Sequence, residues 1–313
     1  MGERFLVALG GNALLRPGQK GWASEQLETL KGTVRTLADL IAAGHQLVLT
    51  HGNGPQVGNL MIQQHLAREA VPPWPMDLCV AATQGVIGAM IQQTLQAELQ
   101  RRGIHRPVVS LITHTRVDPR DPAFHRPTKP VGPVAGPEEA AAGQARGEVW
   151  AEERGRGWRR VVPSPTPLEI LEVAAVRNLL EAGAIPIAAG GGGVPVVQEP
   201  DGSWRGVEAV IDKDLASSLL ARALGVDRFL ILTDVDSVYR GFGTPQAQPL
   251  PRLTAAEARA LLASDELGQG NMAPKVRAAA EFAEAGGEAA IGALEAAELI
   301  VAGRAGTRVV PTA

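Results

Sequence analysis

Five times along this chain an amphipathic stretch ends on glycine and runs straight into a short apolar segment. The five are LADLIAAG–HQLVLT, AELQRRG–IHRPVVSLIT, VRNLLEAG–AIPIAAG, SLLARALG–VDRFLILT and AAEFAEAGG–EAAIGAL. Each glycine stands where a helix C-terminus needs a left-handed residue. Each following run is short and unalternating, as in strands covered on both faces. This alternation demands a parallel sheet with helices on both sides. The expected fold is therefore α/β, a three-layer αβα sandwich around a mainly parallel open sheet. The first helix shows the pattern, with Leu27, Leu30, Val34, Leu37 and Ile41 at three- and four-residue spacing and Ser24 as its expected N-cap. Two lobes are expected, 1–225 and 226–313.

One segment breaks the rhythm. Between Thr115 and Arg160 lie six prolines, many charges, and the isolated Trp150 and Trp158. A stretch this long without periodicity inside a compact domain reads as a protruding lid subdomain over 115–160, with a disordered insertion as the alternative.

Composition narrows the function classes. The chain is 45% hydrophobic and 20% charged, with net charge −3 and no basic block. That is a globular composition, and it gives no footing for nucleic acid. Cys79 is the single cysteine, so neither an internal disulfide nor a cysteine-based zinc site can form. The six histidines lack metal-ligand spacing, and no protein metal site is expected. The N-terminus makes a poor signal peptide, and no run of about twenty apolar residues offers a membrane span. A cytoplasmic location without membrane partner is expected.

The chemistry-bearing residues sit in loops after strands. His51-Gly52-Asn53-Gly54-Pro55-Gln56-Val57-Gly58 follows the expected strand Gln46–Thr50 and opens a helix near Gln56. Small residues there let backbone N–H groups and a positive helix end meet an anion. Gly10-Gly11-Asn12 ends the first strand in the same manner, as either an anion seat or a tight turn. There is no GxxxxGK[ST] and no GxGxxG, which excludes a P-loop and a dinucleotide fold. Gly190 to Gly193 form a run of four glycines, expected to let a ligand approach closely. Ile211-Asp212-Lys213-Asp214 opens a helix; it reads either as capping or as Lys213 facing an anion with Asp214 holding lysines in place. Thr233-Asp234-Val235-Asp236 ends the strongest strand, with Tyr239, Phe242, Gly243, Thr244 and Pro245 behind it as a purine slot or a packed loop. Gly270-Asn271-Met272-Ala273-Pro274-Lys275 opens a helix with Pro274 at its expected N1. A lysine in a first turn opposes the macrodipole and is better explained by a bound anion.

Taken in order, LGGNAL, HGNGPQVG, KPVGP, VPSPTPLEI, the Gly190 run, VIDKDLAS, TDVDSVY, FGTP, MAPKV and the closing Gly306-Thr307 resemble the carbamate kinase family of the amino acid kinase superfamily. The matching pieces span nearly the whole chain. Many superfamily members carry a lysine where this chain has Ala8; carbamate kinases lack it and use a lid lysine, which matches Lys129. The family more often has Ser and Gly at the Asn271 and Ala273 positions. The resemblance implies reversible phosphoryl transfer between ATP and carbamate, giving ADP and carbamoyl phosphate. It implies catalytic roles for Lys129, Lys213, Asp214 and Lys275, and substrate contacts from Gly10, Gly11, Asn12, Gly52, Asn53 and Gly54. Nucleotide contacts are implied for Lys213, Thr233, Asp234, Tyr239, Phe242, Ala273 and Lys275, with Mg²⁺ carried on the nucleotide. It further implies a homodimer; the apolar helix Asp77–Leu99 reads either as its interface or simply as core. The alternatives are a kinase for another small acid or phosphate, and a nucleotide sensor without catalysis.

Overall fold

The computed structural model describes residues 2–16, 18–153, 155, 157–264, 266–267 and 272–312. Eight strands form the main sheet: β1 (Arg4–Leu9), β2 (Gln46–His51), β3 (Val108–Ser110), β4 (Ile185–Ile187), β5 (Arg228–Thr233), β6 (Arg252–Thr254), β7 (Glu288–Ala293) and β8 (Thr307–Val310). Their spatial order is β6-β8-β7-β5-β1-β2-β4-β3. Pairing is parallel throughout except between β7 and β8, so the chain reverses only near one edge. All five helix-ending glycines adopt the left-handed backbone, with φ of 93° at Gly44, 70° at Gly103, 82° at Gly183, 65° at Gly225 and 94° at Gly286.

The strand pattern builds the three layers. On β1, Phe5, Val7 and Leu9 point into one core with Leu30, Val34 and Leu37 of helix Ala23–Ala42 and Ile87, Ile91 and Leu95 of helix Met76–Arg101. Leu6 and Ala8 point into the other, with Val176, Leu220, Val276 and Phe282 from helices Val173–Glu181, Lys213–Leu224 and Met272–Glu284. Period-two alternation thus feeds two apolar slabs, each burying side chains worth about 1.5–3 kcal/mol apiece. The sheet is continuous across Gly225, since Phe5 of β1 registers with Arg228 of β5.

The irregular segment resolves into two parts. His114–Arg116 joins a separate four-stranded sheet with Val194–Gln198, Trp204–Gly206 and Glu169–Ile170. Lys129–Ala135, Val149–Glu153 and Gly157–Val162 form an antiparallel three-stranded unit with helix Pro137–Ala145. This unit rests on helix Gly54–Ala67, where a Cβ on Gly58 would lie 2.0 Å from the Cα of Gly132. Only glycine permits that approach. Trp150 Nε1 donates to Glu148 Oε2 at 2.9 Å within the unit.

Three local expectations are corrected. The first helix starts at Ala23 with Trp22 at its N-cap, not Ser24; the Glu25 carboxylate accepts from the Gly21 and Trp22 N–H groups at 2.8 and 3.0 Å and serves as the cap instead. The helix after the His51 loop opens at Gly54, two residues early. Helix Met76–Arg101 does reach a mean hydropathy of 1.2 over eighteen residues, enough by length and composition for a span. One of its faces is spent on the core, with Cys79, Val80, Ile87, Ile91, Leu95 and Leu99 all fully buried.

His114 ties the four-stranded sheet to helix Val173–Glu181, its Nδ1 and backbone N–H each 2.7 Å from the Glu172 carboxylate. The Glu172 hydrogen bond, against an opposing burial effect, raises the imidazole above its ordinary value. A raised histidine contributes stability below its unfolded pKa of about 6.5 and loses it as pH rises through the folded value. His114→Gln is therefore expected to lower Tm more at pH 5.5 than at pH 8.5. Equal losses at both would remove the ion pair from the account.

Candidate active site

The carboxyl ends of three adjacent strands, β2, β1 and β5, meet at one place. Gly10 N–H donates to Leu232 O at 2.8 Å and Gly52 N–H donates to Leu9 O at 3.2 Å, so the loops leaving all three strands are laced together. Ligands of open α/β sheets bind at such strand ends. Helix Lys213–Leu224 points its N-terminus here, with Asp212 as N-cap: its Oδ1 accepts from the Asp214 and Leu215 N–H groups at 2.9 and 3.3 Å. Ser217 donates to Lys213 O at 2.6 Å and receives the Thr50 hydroxyl at 2.6 Å, which pins the helix opening to β2.

Asp214 is the centre. Lys213 Nζ donates to its Oδ1 at 2.5 Å and Lys275 Nζ to its Oδ2 at 2.9 Å. All three are withdrawn from water, with side-chain exposures of 12% for Lys213, 9% for Lys275 and 4% for Asp214. Burial by itself would raise the Asp214 carboxyl, but the two ammoniums override it and hold it well below the usual carboxylate range. Burial pushes Lys213 below the ordinary lysine value, opposed by Asp214 and reinforced by repulsion from Lys275. Lys275 is raised: burial works against its charge, and the attraction and hydrogen bond of Asp214 outweigh it. Asp214 is thus the shared acceptor that joins the two lysine side chains. The Asp214 pairing also gives Lys275 a counter-charge in its helix turn, where the sequence alone offered only an external anion.

Gly52 lies over the Lys213 stem, close enough that a Cβ would sit 3.4 Å from Cδ. His51 is buried and pushed down to about 4, chiefly by burial, with Lys213 adding to the effect. Its neutral ring donates from Nδ1 to Gly52 O at 3.0 Å, because a carbonyl can only accept. Asn12, in the turn Gly11–Ala13, donates from Nδ2 to Asp234 Oδ2 at 2.8 Å, while Thr233 donates to Asp234 Oδ1 at 2.9 Å. A Cβ on Gly11 or Gly54 would meet nothing within 4 Å, so both present open backbone. Lys129, at the root of the three-stranded unit, donates to Asp212 Oδ2 at 2.6 Å.

Lys129, Lys213, Asp214, Lys275, Gly10, Asn12, Gly52, Thr233 and Asp234 are thus tied into this region by these contacts, with Gly11 and Gly54 as open backbone beside them. Four other residues stand apart. The Asn53 carboxamide is buried and donates to Thr83 Oγ1 at 2.9 Å, which leaves its backbone as the available donor. Tyr239 hydrogen-bonds Asp236 at 3.0 and 3.1 Å and lies 6.0 Å, ring to ring, from the half-exposed Phe242. Ala273 is half-buried in the first turn of helix Met272–Glu284. That helix begins two residues before Pro274, so Pro274 is not its first residue; Gly270 and Asn271 lie outside the described residues.

The glycine run has a packing role of its own. A Cβ on Gly190, Gly191, Gly192 or Gly193 would strike His51, Asn53, Ile211 or Thr115, at 2.4, 2.2, 2.5 and 2.2 Å respectively. These glycines let the protein's own loops close on each other. What sequence reasoning missed is Asp212, read there as a cap alone; only the fold brings Lys129 to it. Among the described residues, no three His, Cys, Asp or Glu side chains gather as a metal site.

Comparison with known proteins places the chain in a family. The model of the amino acid kinase family matches residues 3–292. A carbamate kinase of Pyrococcus furiosus is 49% identical over 99% of this chain and 100% of its own length. Carbamate kinase 2 of Enterococcus faecalis is 44% identical over 88% of each chain. The solved carbamate kinase of Giardia lamblia bound to AMP-PNP superposes with a TM-score of 0.92 at 38% identity, covering 99% of both chains.

Proposed function

The chain belongs to the amino acid kinase family, within its carbamate kinases, and on that premise we propose that it transfers a phosphoryl group reversibly between ATP and carbamate. The observation that carries the reading is Asp214 holding Lys213 and Lys275 together at a helix N-terminus beside open glycine backbone. Carbamate is already an anionic oxygen nucleophile, so no base is needed; what the reaction demands is the meeting of anions. In the direction of ATP synthesis, an ADP β-phosphate oxygen attacks the phosphorus of carbamoyl phosphate. The bond from phosphorus to the carbamate oxygen breaks and carbamate leaves as an anion. Charge moves between oxygens throughout, and preorganised cations and N–H groups lower that barrier more than any proton transfer would.

In this reading Lys213 and Lys275 hold the oxygens of the group in flight, and Asp214 fixes where their ammoniums stand. Gly10, Gly11, Asn12, Gly52, Asn53 and Gly54 supply donors to carbamate and phosphoryl oxygens. The nucleotide takes Thr233, Asp234, Tyr239, Phe242 and Ala273, from the lobe 226–313, while 1–225 receives carbamate. Mg²⁺ would arrive on the nucleotide with few protein ligands, as suits this hard, strongly hydrated cation. When bound it would neutralise phosphate charge. Lys129 lies on the lid, which we take as the three-stranded unit, and it reaches the carbamate or phosphoryl end when the lid is seated.

We place the enzyme in the cytoplasm and as a homodimer. Leu78 and Val86 on helix Met76–Arg101, with neighbouring Ile112, leave an exposed apolar strip for that contact.

The test is ATP formation from ADP, carbamoyl phosphate and Mg²⁺ in a coupled luminescence assay. Robust turnover is expected, and Lys129→Ala should lower kcat/KM for carbamoyl phosphate by about tenfold or more. Turnover only with a different acyl phosphate would move the assignment to another small acid.

A further inference from the structure

Asp212 carries two unrelated hydrogen-bonding duties on its two oxygens. Oδ1 caps the helix that presents Lys213 and Asp214. Oδ2 accepts the Lys129 ammonium from the three-stranded unit at 2.6 Å, across 83 residues of sequence. One rigid carboxylate, 11% exposed, therefore fixes both the catalytic helix opening and the lid lysine. Helix N-caps need only one acceptor, and serine, threonine or asparagine serves as well. The second oxygen is left over for recognition of a cation.

We propose that Asp212 is a positioning residue that acts through Lys129: it sets the lid lysine against the helix N-terminus, so that seating the lid and aiming the cation are one event. The inference rests on the reading of Lys129 as a lid lysine that reaches substrate.

Two further contacts define the direction in which Lys129 is delivered. Gly132, three residues along the same strand, seats against Gly58. Arg159 of the neighbouring strand donates from Nη2 to Gly132 O at 2.9 Å, holding that strand's carbonyl in place. The backbone of the lid strand is thus fixed three residues from Lys129, and the side chain's remaining freedom lies in its long stem. A flexible lysine stem gives no aim of its own. Asp212 supplies the aim through a charge-assisted hydrogen bond at the tip.

The cap and the positioning role separate by substitution. Asp212→Asn and Asp212→Ser both keep an N-cap acceptor, while neither offers Lys129 an anionic partner. Each is expected to hold Tm within about 2 °C of the parent and to lower kcat/KM for carbamoyl phosphate by about tenfold, the loss of one charge-assisted contact. KM for ADP should change less than twofold. The deciding measurement is the double-mutant cycle with Lys129→Ala. In that background Asp212→Asn and Asp212→Ser should change kcat/KM less than twofold, since their target is gone. Additive losses, or an unchanged kcat/KM in the single variants, would overturn the proposal. Should Lys129→Ala itself leave kcat/KM unaltered, the lid-lysine reading fails first, and this inference falls with it for a distinguishable reason.

Discussion

Lys275→Ala is expected to lower kcat for ATP formation by about 10²–10³-fold, the usual cost of removing one preorganised charge donor from a transition state. Its amine is buried, has its pKa raised above the ordinary lysine value, and is held 2.9 Å from the Asp214 carboxylate. A cation so fixed needs no reorganisation when charge shifts between oxygens. The fold should survive, because Asp214 keeps Lys213 as partner. ADP affinity by calorimetry should stay within about threefold, since the interaction lost is one that tightens in the transition state. A kcat within threefold of the parent would take Lys275 out of contact with the transferred group.

Asp214→Ala should cost both activity and stability. The substitution leaves two buried ammoniums facing each other without a counter-charge, and breaking a buried ion pair in this way costs about 3–5 kcal/mol. The pH dependence has a definite sign. A depressed carboxyl contributes stability above its unfolded pKa of about 3.9 and loses it only as pH falls through the depressed value. Lys275, being raised, contributes below its unfolded pKa of about 10.4 and loses it as pH rises through the folded value. From about pH 5 to pH 7 the deficit of the variant should therefore be flat. Lys213 behaves in the opposite sense, since burial already pushes it down and Asp214 was what opposed that. In the variant it sheds its proton more easily and relieves the repulsion with Lys275. The difference in Tm between parent and variant should shrink from pH 7 to pH 9.5. A constant or growing gap would show that Asp214 stabilises the fold by something other than these two charges.

The sheet and its helices were legible in the sequence because they rest on local rules. A left-handed glycine after a helix and an apolar run after it are visible residue by residue, and all five such junctions form as expected. The loops after β1, β2 and β5 were legible for the same reason. Other features depend on what the chain meets elsewhere. Ser24 looked like a cap until Glu25 reached back to Gly21 and Trp22. The Gly190 run also packs against His51 and Asn53 from a distant loop, against Thr115 and against the Ile211 backbone, which no local pattern announces. The 115–160 segment carried no period, so its division between two sheets could not be drawn from proline spacing. Asp212 was visible only as a cap, since its second partner comes from the lid.

The position of β1 in the sheet has a consequence for how the protein is made. β1 lies mid-sheet, and one of its two neighbours, β5, is encoded about 220 residues later. At roughly 5–20 residues per second, a ribosome leaves that edge without its partner for about 11–45 s. Phe5, Leu6, Val7 and Leu9 line the waiting strand. The nascent chain must therefore carry an apolar, hydrogen-bond-hungry edge through most of its synthesis. Such edges recruit other chains, and pairing of such long sequence separation is slow to form. The arrangement that gathers the reactive groups from both ends of the polypeptide also makes the newborn protein a natural client for chaperones.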